Sequence, residues 1–85
     1  MDLQKELDLL SDVLYENLEY FVDADTRKEA ANALGYVATD FCINILHDFI
    51  ENGTGNDSSV IAEAVRALGW AIDRRQIDRR QSEGQ

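Results

Sequence analysis

EAANALGYVA, residues 29–38, has a near-copy in the same chain, EAVRALGWAI, at residues 63–72. The copies lie 34 positions apart and share a Glu, an Ala, the run Ala-Leu-Gly and a following aromatic residue. Apolar residues recur in both copies at the three- and four-residue spacing of an α-helix. A Gly inside a helix costs about 1 kcal/mol relative to Ala, so its presence in both copies predicts a close approach of another helix.

The small and aromatic residues of the two copies predict how these helices pack. Ala31 and Gly35 lie on one face at helical spacing, and Gly69 has the place of Gly35 in the second copy. The ring that follows each Gly, Tyr36 or Trp70, is expected to fill the space beside the crossing. We therefore expect these five residues to mediate helix packing or self-association, and the repeat itself to carry no chemistry.

Residues 2–22 are predicted to form one long helix. Six apolar residues follow helical spacing and form its main stripe: Leu3, Leu7, Leu10, Leu14, Leu18 and Phe21. Leu9, Val13 and Tyr20 form a second apolar ridge beside that stripe, and Ile43 adds apolar surface to the helix that follows. This surplus exceeds what a single helix partner covers, so we expect self-association, most simply as a two-fold homodimer.

The second predicted helix contains the first copy of the repeat. Thr26 and Glu29 fit a capping box at its start, with Asp25 as a competing cap. Asn52, which Gly53 follows, is a typical stop signal at its end. Between these points the sequence leaves two alternatives open, a continuous helix or one broken near Thr39.

The third predicted helix contains the second copy, and a polar segment follows it. Asp57 or Ser58 is expected to cap this helix. Residues 74–85 are polar apart from one Ile and rich in Arg, which predicts a fraying helix end and a flexible tail. We therefore assign one helical domain to residues 1–73. No segment has the period-two pattern of a strand, so the predicted class is all-α, with three long helices.

Both copies, with the residues that precede them, resemble the HEAT-like family of helical repeats. The first copy carries residues typical of such a unit: Asp25, Arg27, Ala30, Ala31, Ala33, Leu34 and Gly35. The second copy has Ile61 where the Arg would stand and keeps four of the others: Ala64, Ala67, Leu68 and Gly69. The resemblance covers residues 23–50 and 57–73, and it implies antiparallel helix pairs in an array. A small helical bundle is the alternative.

The residues available for catalysis or metal binding are few. Cys42 is the single cysteine and lies among apolar residues, which is typical of a small buried side chain. His47 is the single histidine, and it shares a polar stripe with Asp40, Asn44 and Glu51. A metal site normally needs a further strong ligand. We therefore expect no catalytic residue, no metal, no cofactor and no small-molecule substrate.

Charge is the strongest sequence indication of a partner. The chain has a net charge of −9, and its first 25 residues contain eight acidic residues and one Lys. Binding to a nucleic-acid backbone needs the opposite sign, so direct nucleic-acid binding is not expected. Five acidic residues are spaced to share one face of the predicted first helix: Asp8, Asp12, Glu16, Glu19 and Asp23. This face is predicted to bind a basic protein or to imitate a polyanion.

These features together favour a small acidic regulator or inhibitor without enzymatic activity, of the type found in phages and mobile elements. The alternative is a structural or adaptor module whose main partner is itself or a larger helical protein. The first residues, MDLQKELDLL, carry acids where a signal peptide has basic residues, and no apolar run is long enough to span a membrane. With a single cysteine, we expect a cytoplasmic location.

Overall fold

A computed structural model describes residues 3–53 and 56–83 of the chain, with side chains described through Gln76. These ranges contain four α-helices and no strand: α1 (Leu3–Tyr15), α2 (Ala24–Val37), α3 (Asp40–Glu51) and α4 (Ser58–Glu83). The predicted all-α class is confirmed, and four helices stand in place of three because the second predicted helix is broken near Thr39, one of the two alternatives that the sequence left open. None of the helices in these ranges combines the length and the apolar content needed to cross a membrane.

The first helix is shorter than its apolar spacing predicts, because α1 ends at Tyr15. Glu16 adopts a left-handed conformation with φ of 60°, and the amide of Asn17 donates to the carbonyl of Asp12, which closes the helix end. A continued helix would use the Leu14 carbonyl to accept from residue 18. That carbonyl instead accepts from Nε of Arg27 at 3.0 Å. A residue distant in sequence therefore ends α1, and no local pattern predicts it.

The second helix begins two residues before the predicted capping box. Asp23 is its N-cap, and Oδ1 of that residue accepts from the amide of Thr26 at 2.8 Å. The same backbone hydrogen bond lowers the pKa of Asp23. The prediction of Thr26 or Asp25 as the cap is wrong, because Asp23 already satisfies the amide at the start of the helix.

The break near Thr39, which the sequence left open, separates α2 from α3. Ala38 ends α2 in the left-handed region with φ of 57°, and its amide donates to the carbonyl of Leu34. Thr39 then caps α3, where its hydroxyl oxygen accepts from the amide of Cys42 at 3.3 Å. The chain reverses here without a Gly or a Pro. At the other end, α3 stops at Glu51, as the predicted stop signal requires.

Helix α4 is longer than the predicted third helix and continues through Glu83. The Oδ1 atom of Asp57 accepts from the amide of Ser59 at 2.8 Å, so this carboxylate caps the start of α4. The hydroxyl of Ser59 also donates to Oδ1, and these bonds lower the pKa of Asp57. Residues 74–83, assigned from the sequence to a fraying end and tail, belong to the helix. Residues 84 and 85 lie outside the described ranges.

The core lies where α2 meets the other three helices, and its largest contact is with α4. Among the residues that the structure describes, eleven buried ones form it: Leu7, Leu14, Ala30, Ala31, Leu34, Cys42, Leu46, Phe49, Val60, Ala64 and Ala67. The ring of Tyr15 packs edge-on against Phe49, with ring centroids 5.4 Å apart. The hydroxyl of Tyr15 donates to the carboxylate of Asp48 at 2.5 Å, which connects the end of α1 to α3.

The buried faces of the two copies overlap only in part. Ala30 and Gly35 are buried beside the main stripe of α2. The main buried stripe of α2 and its C-cap has spacings of four, three and four: Arg27, Ala31, Leu34 and Ala38. The stripe of α4 has the same spacings: Val60, Ala64, Ala67 and Ala71. Each of these residues lies 33 positions after its counterpart, one fewer than the offset of the repeat. One residue is about 100° of helix rotation, so α4 is turned by that angle relative to α2.

This rotation separates the two glycines. A Cβ added to Gly35 would lie 2.7 Å from the backbone oxygen of Ala67 and 2.8 Å from its Cβ, so α2 and α4 cross closely there. A Cβ added to Gly69 would meet nothing within 4 Å. The predicted close approach at Gly69 is therefore wrong, because the rotation of α4 points that position toward solvent.

Candidate protein-binding groove between α2 and α4

An open groove of about 380 Å³ runs along the outer side of the contact between α2 and α4. Seven residues line it: Glu29, Asn32, Ala33 and Tyr36 from α2, and Glu63, Arg66 and Trp70 from α4. A neighbouring depression continues it toward the start of α2 and adds Asp25, Thr26 and Lys28. We call the surface formed by the seven residues the α2–α4 groove.

The α2–α4 groove is lined by equivalent residues of the two copies. Three pairs, each 34 positions apart, face one another across it: Glu29 and Glu63, Asn32 and Arg66, Tyr36 and Trp70. The helices run in the same direction, since Arg27 near the start of α2 contacts Asn56 just before α4, and Tyr36 near the end of α2 contacts Arg74. Equivalent residues therefore lie at equivalent depths along the groove.

Helix rotation explains how equivalent residues come to share one groove. Helix α2 meets α4 at Gly35, whereas α4 meets α2 at Ala67, whose counterpart in the first copy is Ala33. On a helical wheel the position of Tyr36 lies between those two positions. The rings therefore point to the same side of the contact, and so do the two Glu residues.

One end of the groove is acidic. Glu29 is exposed and Glu63 is half-buried. Within the described part of the chain, neither carboxylate has a hydrogen-bond or ion-pair partner. Beside them, Lys28 pairs with Asp25 at 3.5 Å in an exposed contact, a kind of pair that contributes little to stability. Two carboxylates at one end of the groove favour a cation, and Arg66 adds one positive charge to the same lining.

The other end of the groove is aromatic and exposed. The side chain of Tyr36 is 68% exposed and that of Trp70 is 58% exposed. The guanidinium of Arg74 lies 4.8 Å from the centroid of the Tyr36 ring, a cation–π contact. Next to it, Nη1 of Arg75 forms an exposed ion pair with Oδ1 of Asp40, at 2.6 Å, between α4 and the start of α3. Two large exposed rings in one groove are typical of a binding surface.

The five acidic residues predicted to share one helix face do not do so. They are distributed over α1, the non-helical segment and the start of α2: Asp8, Asp12, Glu16, Glu19 and Asp23. Only the first two lie on α1. Glu16 pairs with Nη1 of Arg27 at 3.6 Å, and Asp23 caps α2. The premise of a continuous acidic helix face is wrong, because α1 ends before three of these residues.

The residues predicted for packing or self-association have varied surroundings. Leu9 is exposed on α1, and Tyr20 is 70% exposed in the non-helical segment. Val13 packs against the core, and Ala31 lies within it. Ile43 is half-buried and lines a separate depression between α3 and α4, together with Ile72, Arg75 and Gln76. This depression shares no lining residue with the α2–α4 groove.

The histidine and the cysteine lie away from the groove and from each other. His47 is exposed on α3, and its Nδ1 lies 3.4 Å from a carboxylate oxygen of Glu51. Cys42 is fully buried near the start of α3. No group of three or more potential metal ligands occurs among the described residues.

Arg27 has a structural role that the sequence did not predict, beyond its place among the residues that resemble a HEAT-like unit. It is buried on α2, where Nε donates to the Leu14 carbonyl and Nη2 donates to Oδ1 of Asn56 at 2.8 Å. Its guanidinium also lies 5.7 Å from the Phe49 ring centroid and pairs with Glu16. The sequence did contain one indication of this role, since Arg27 is a charged residue within the otherwise apolar stripe of α2. Such a residue must find partners inside the fold.

No protein-family model, no curated protein and no solved structure matches this chain.

Proposed function

We propose that this protein is a small acidic regulator or inhibitor without enzymatic activity, which binds a basic protein partner through the α2–α4 groove. One observation carries the proposal: the aromatic ring and the Glu of each copy of the repeat all line the same open groove. Packing does not require this, because Tyr36 and Trp70 remain largely exposed. Exposed aromatic residues that lie together are typical of protein interfaces.

The groove indicates the chemistry of the partner. The free carboxylates of Glu29 and Glu63 favour a Lys or Arg side chain at one end. The rings of Tyr36 and Trp70 favour an apolar side chain at the other. The net charge of −9 attracts a basic partner from a distance and accelerates association. In this proposal the acidic residues of α1 and of the segment that follows it contribute to that attraction, and the groove supplies the specific contacts.

Capture of a partner from the native host tests the proposal. The chain is immobilised, and the amount of retained partner is compared among charge variants at several salt concentrations. Glu29→Lys with Glu63→Lys is expected to abolish capture, and Tyr36→Ser with Trp70→Ser is expected to do the same at unchanged charge. Asp8→Lys with Asp12→Lys is the matched control, because it changes the net charge equally on α1. Equal losses for the groove and control charge variants, or capture unaffected by either groove variant, would contradict the proposal.

A second candidate function, assembly with another copy, is favoured by a different surface. Phe21 is 84% exposed and Tyr20 is 70% exposed, next to each other in the segment between α1 and α2. Two adjacent exposed rings are a typical self-association surface. Analytical ultracentrifugation at micromolar concentration is expected to show a dimer that Phe21→Ser dissociates. A monomeric parent chain would exclude this candidate and leave the groove proposal unaffected.

A further inference from the structure

The walls of the α2–α4 groove determine which backbone conformation a bound segment can adopt. Both walls are interior turns of α-helices, whose backbone N–H and C=O groups bond within their own helix. An extended segment is normally bound by backbone hydrogen bonds to an exposed strand edge. The groove offers no such edge, so an extended segment would leave its own backbone groups to water or side chains. A helix enters with those groups already paired.

The spacing of the lining residues fits a helix of two or three turns. Glu29 and Tyr36 are seven residues apart on α2, as are Glu63 and Trp70 on α4. Seven residues rise roughly 10 Å along a helix. A helix lying along the groove returns to the same face after seven residues and covers the same length. One face of that helix can therefore contact the rings with one turn and the carboxylates two turns away.

The groove also has room for a ridge of side chains. Ala33 lines it between the two walls and has the smallest side chain there. The close approach of Gly35 and Ala67 forms the floor of the groove next to Ala33. The longer side chains of the lining residues form its walls. Ridges of one helix pack into grooves of this kind on its neighbours.

We infer that the α2–α4 groove binds an amphipathic basic α-helix of the partner, with apolar residues at positions i and i+4 and Lys or Arg at i+7 and i+11. This inference rests on the proposed function and specifies the partner segment. A second copy of the chain is a poorer occupant of this groove, because the groove ends in two carboxylates and most charged residues of the chain are acidic. Like charges at close range oppose association.

The position of Trp70 allows a direct test. It is the single Trp of the chain, so fluorescence excited through Trp reports on the groove alone. The probe is a Trp-free Ala/Gln peptide of about 18 residues, long enough to form a helix with a side-chain lactam. It carries Leu at i and i+4 and Arg at i+7 and i+11. Titration is expected to give a saturable blue shift of the Trp70 emission, as the ring leaves water.

Matched variants locate the binding. Glu29→Lys with Glu63→Lys is expected to weaken the peptide by about tenfold or more, since two ion pairs are lost. Asp8→Lys with Asp12→Lys, which changes the net charge equally, is expected to weaken it by far less. If both charge variants weaken peptide binding equally, the peptide is held by general charge attraction and not by specific contacts in the groove. That result would overturn the inference.

A second peptide separates the helix from the groove. It has the same composition and the same order of Leu and Arg, but a central Pro and no lactam, so it cannot form the helix. We expect no blue shift with it. If it binds as tightly as the helical peptide, or if neither peptide binds, the helical inference is overturned. The proposed function then still stands if capture of the native partner depends on the groove, and it falls if that capture does not.

Discussion

Residues 29–38 and 63–72 have nearly the same sequence, yet they pack in different ways. Gly35 lies against Ala67 at a close helix crossing, whereas Gly69 faces open space. The buried stripe of α4 is displaced by one residue relative to the repeat, so equivalent residues of the two copies point in different directions. A sequence repeat of this kind therefore predicts two helices, but it does not by itself predict which face of each helix is buried. The neighbours on the other sides of each helix decide that.

What the two copies keep in common lies at their starts and on their outer faces. Asp23 and Asp57, again 34 positions apart, both cap their helices with a carboxylate. Beyond the caps, the shared Glu and the shared ring of each copy line the α2–α4 groove. The exposed residues of the repeat thus match in space, whereas among the buried ones Ala30 and Ala64 match and the main stripes do not. Packing alone does not explain the match among the exposed residues.

The largest expected effect comes from giving the first copy the residue of the second. Arg27→Ile introduces the counterpart of Ile61 and removes every contact of the buried guanidinium. The Leu14 carbonyl, Asn56 and Glu16 then lose their donor. Buried polar groups left without partners are costly, so we expect the free energy of unfolding to fall by about 3 kcal/mol in urea titrations.

Two further variants test why Arg27 matters. Arg27→Lys keeps the charge and is expected to recover only part of the loss, because an ammonium cannot serve three partners in the planar arrangement of a guanidinium. Ile61→Val, at the matching place of the second copy, is expected to cost about 1 kcal/mol as an ordinary core truncation. A loss below 1 kcal/mol for Arg27→Ile would show that the hydrogen bond to Leu14 does not hold the end of α1.

The next effect concerns the glycine at the crossing. Gly35→Ala would place a Cβ within 3 Å of the backbone of Ala67, and backbone atoms cannot rotate away. Overpacking of a core costs about 1–3 kcal/mol, and the gain in helix propensity is about 1 kcal/mol. We expect a net loss of about 1 kcal/mol in the free energy of unfolding. Unchanged or increased stability would show that α4 moves aside without cost.

The glycine of the second copy is expected to respond with the opposite sign. Gly69→Ala adds a methyl group in open space within a helix interior, so only the propensity term acts. We expect the free energy of unfolding to rise by about 1 kcal/mol. Thermal melts of both single variants measure the contrast directly. If the two substitutions shift the melting temperature in the same direction, the close crossing at Gly35 does not affect stability in the way proposed here.

These two glycines also show how far the sequence could predict the structure. Apolar spacing and turn residues were sufficient for the all-α class, for the stop after Glu51 and for the interruption near Thr39 as one of two alternatives. They could not predict the rotation of α4, because that depends on which helices pack on its other sides. The end of α1 was likewise inaccessible, since Arg27, thirteen residues beyond Leu14, supplies the decisive hydrogen bond.

The candidate site was predictable in its residues and not in its arrangement. Tyr36 and Trp70 stood out because a ring follows Gly in both copies. They were expected to fill space at a crossing, and the structure places both in an open groove. Glu29 and Glu63 were visible as residues shared by the two copies, but Glu29 was assigned to a capping box and Glu63 received no role. Only the relative rotation of α2 and α4 brings the four residues together, and a linear pattern does not contain that angle.

The caps provide a smaller test, of what the copies share. In Asp23 the backbone hydrogen bond from Thr26 lowers the pKa, and in Asp57 the side-chain hydrogen bond from Ser59 contributes most. A lowered folded pKa means stabilisation that is present above the unfolded value of about 3.9 and lost as pH falls through the folded value. We expect Asp23→Ala and Asp57→Ala each to lower the melting temperature at neutral pH. The difference from the parent chain should shrink as the carboxylates protonate. A difference that persists unchanged at low pH would argue against charged caps.

The smallest expected effect on stability belongs to the two rings, and it bears most directly on function. Tyr36→Ser and Trp70→Ser each remove a side chain that is largely exposed, so we expect unfolding free energies within about 0.5 kcal/mol of the parent. Loss of partner capture with so little change in stability would separate the role of the rings from folding. If either substitution costs as much as Gly35→Ala, the ring is part of the packing between α2 and α4. The shared outer face of the two copies would then be explained by stability, and the case for a binding groove would lose its main support.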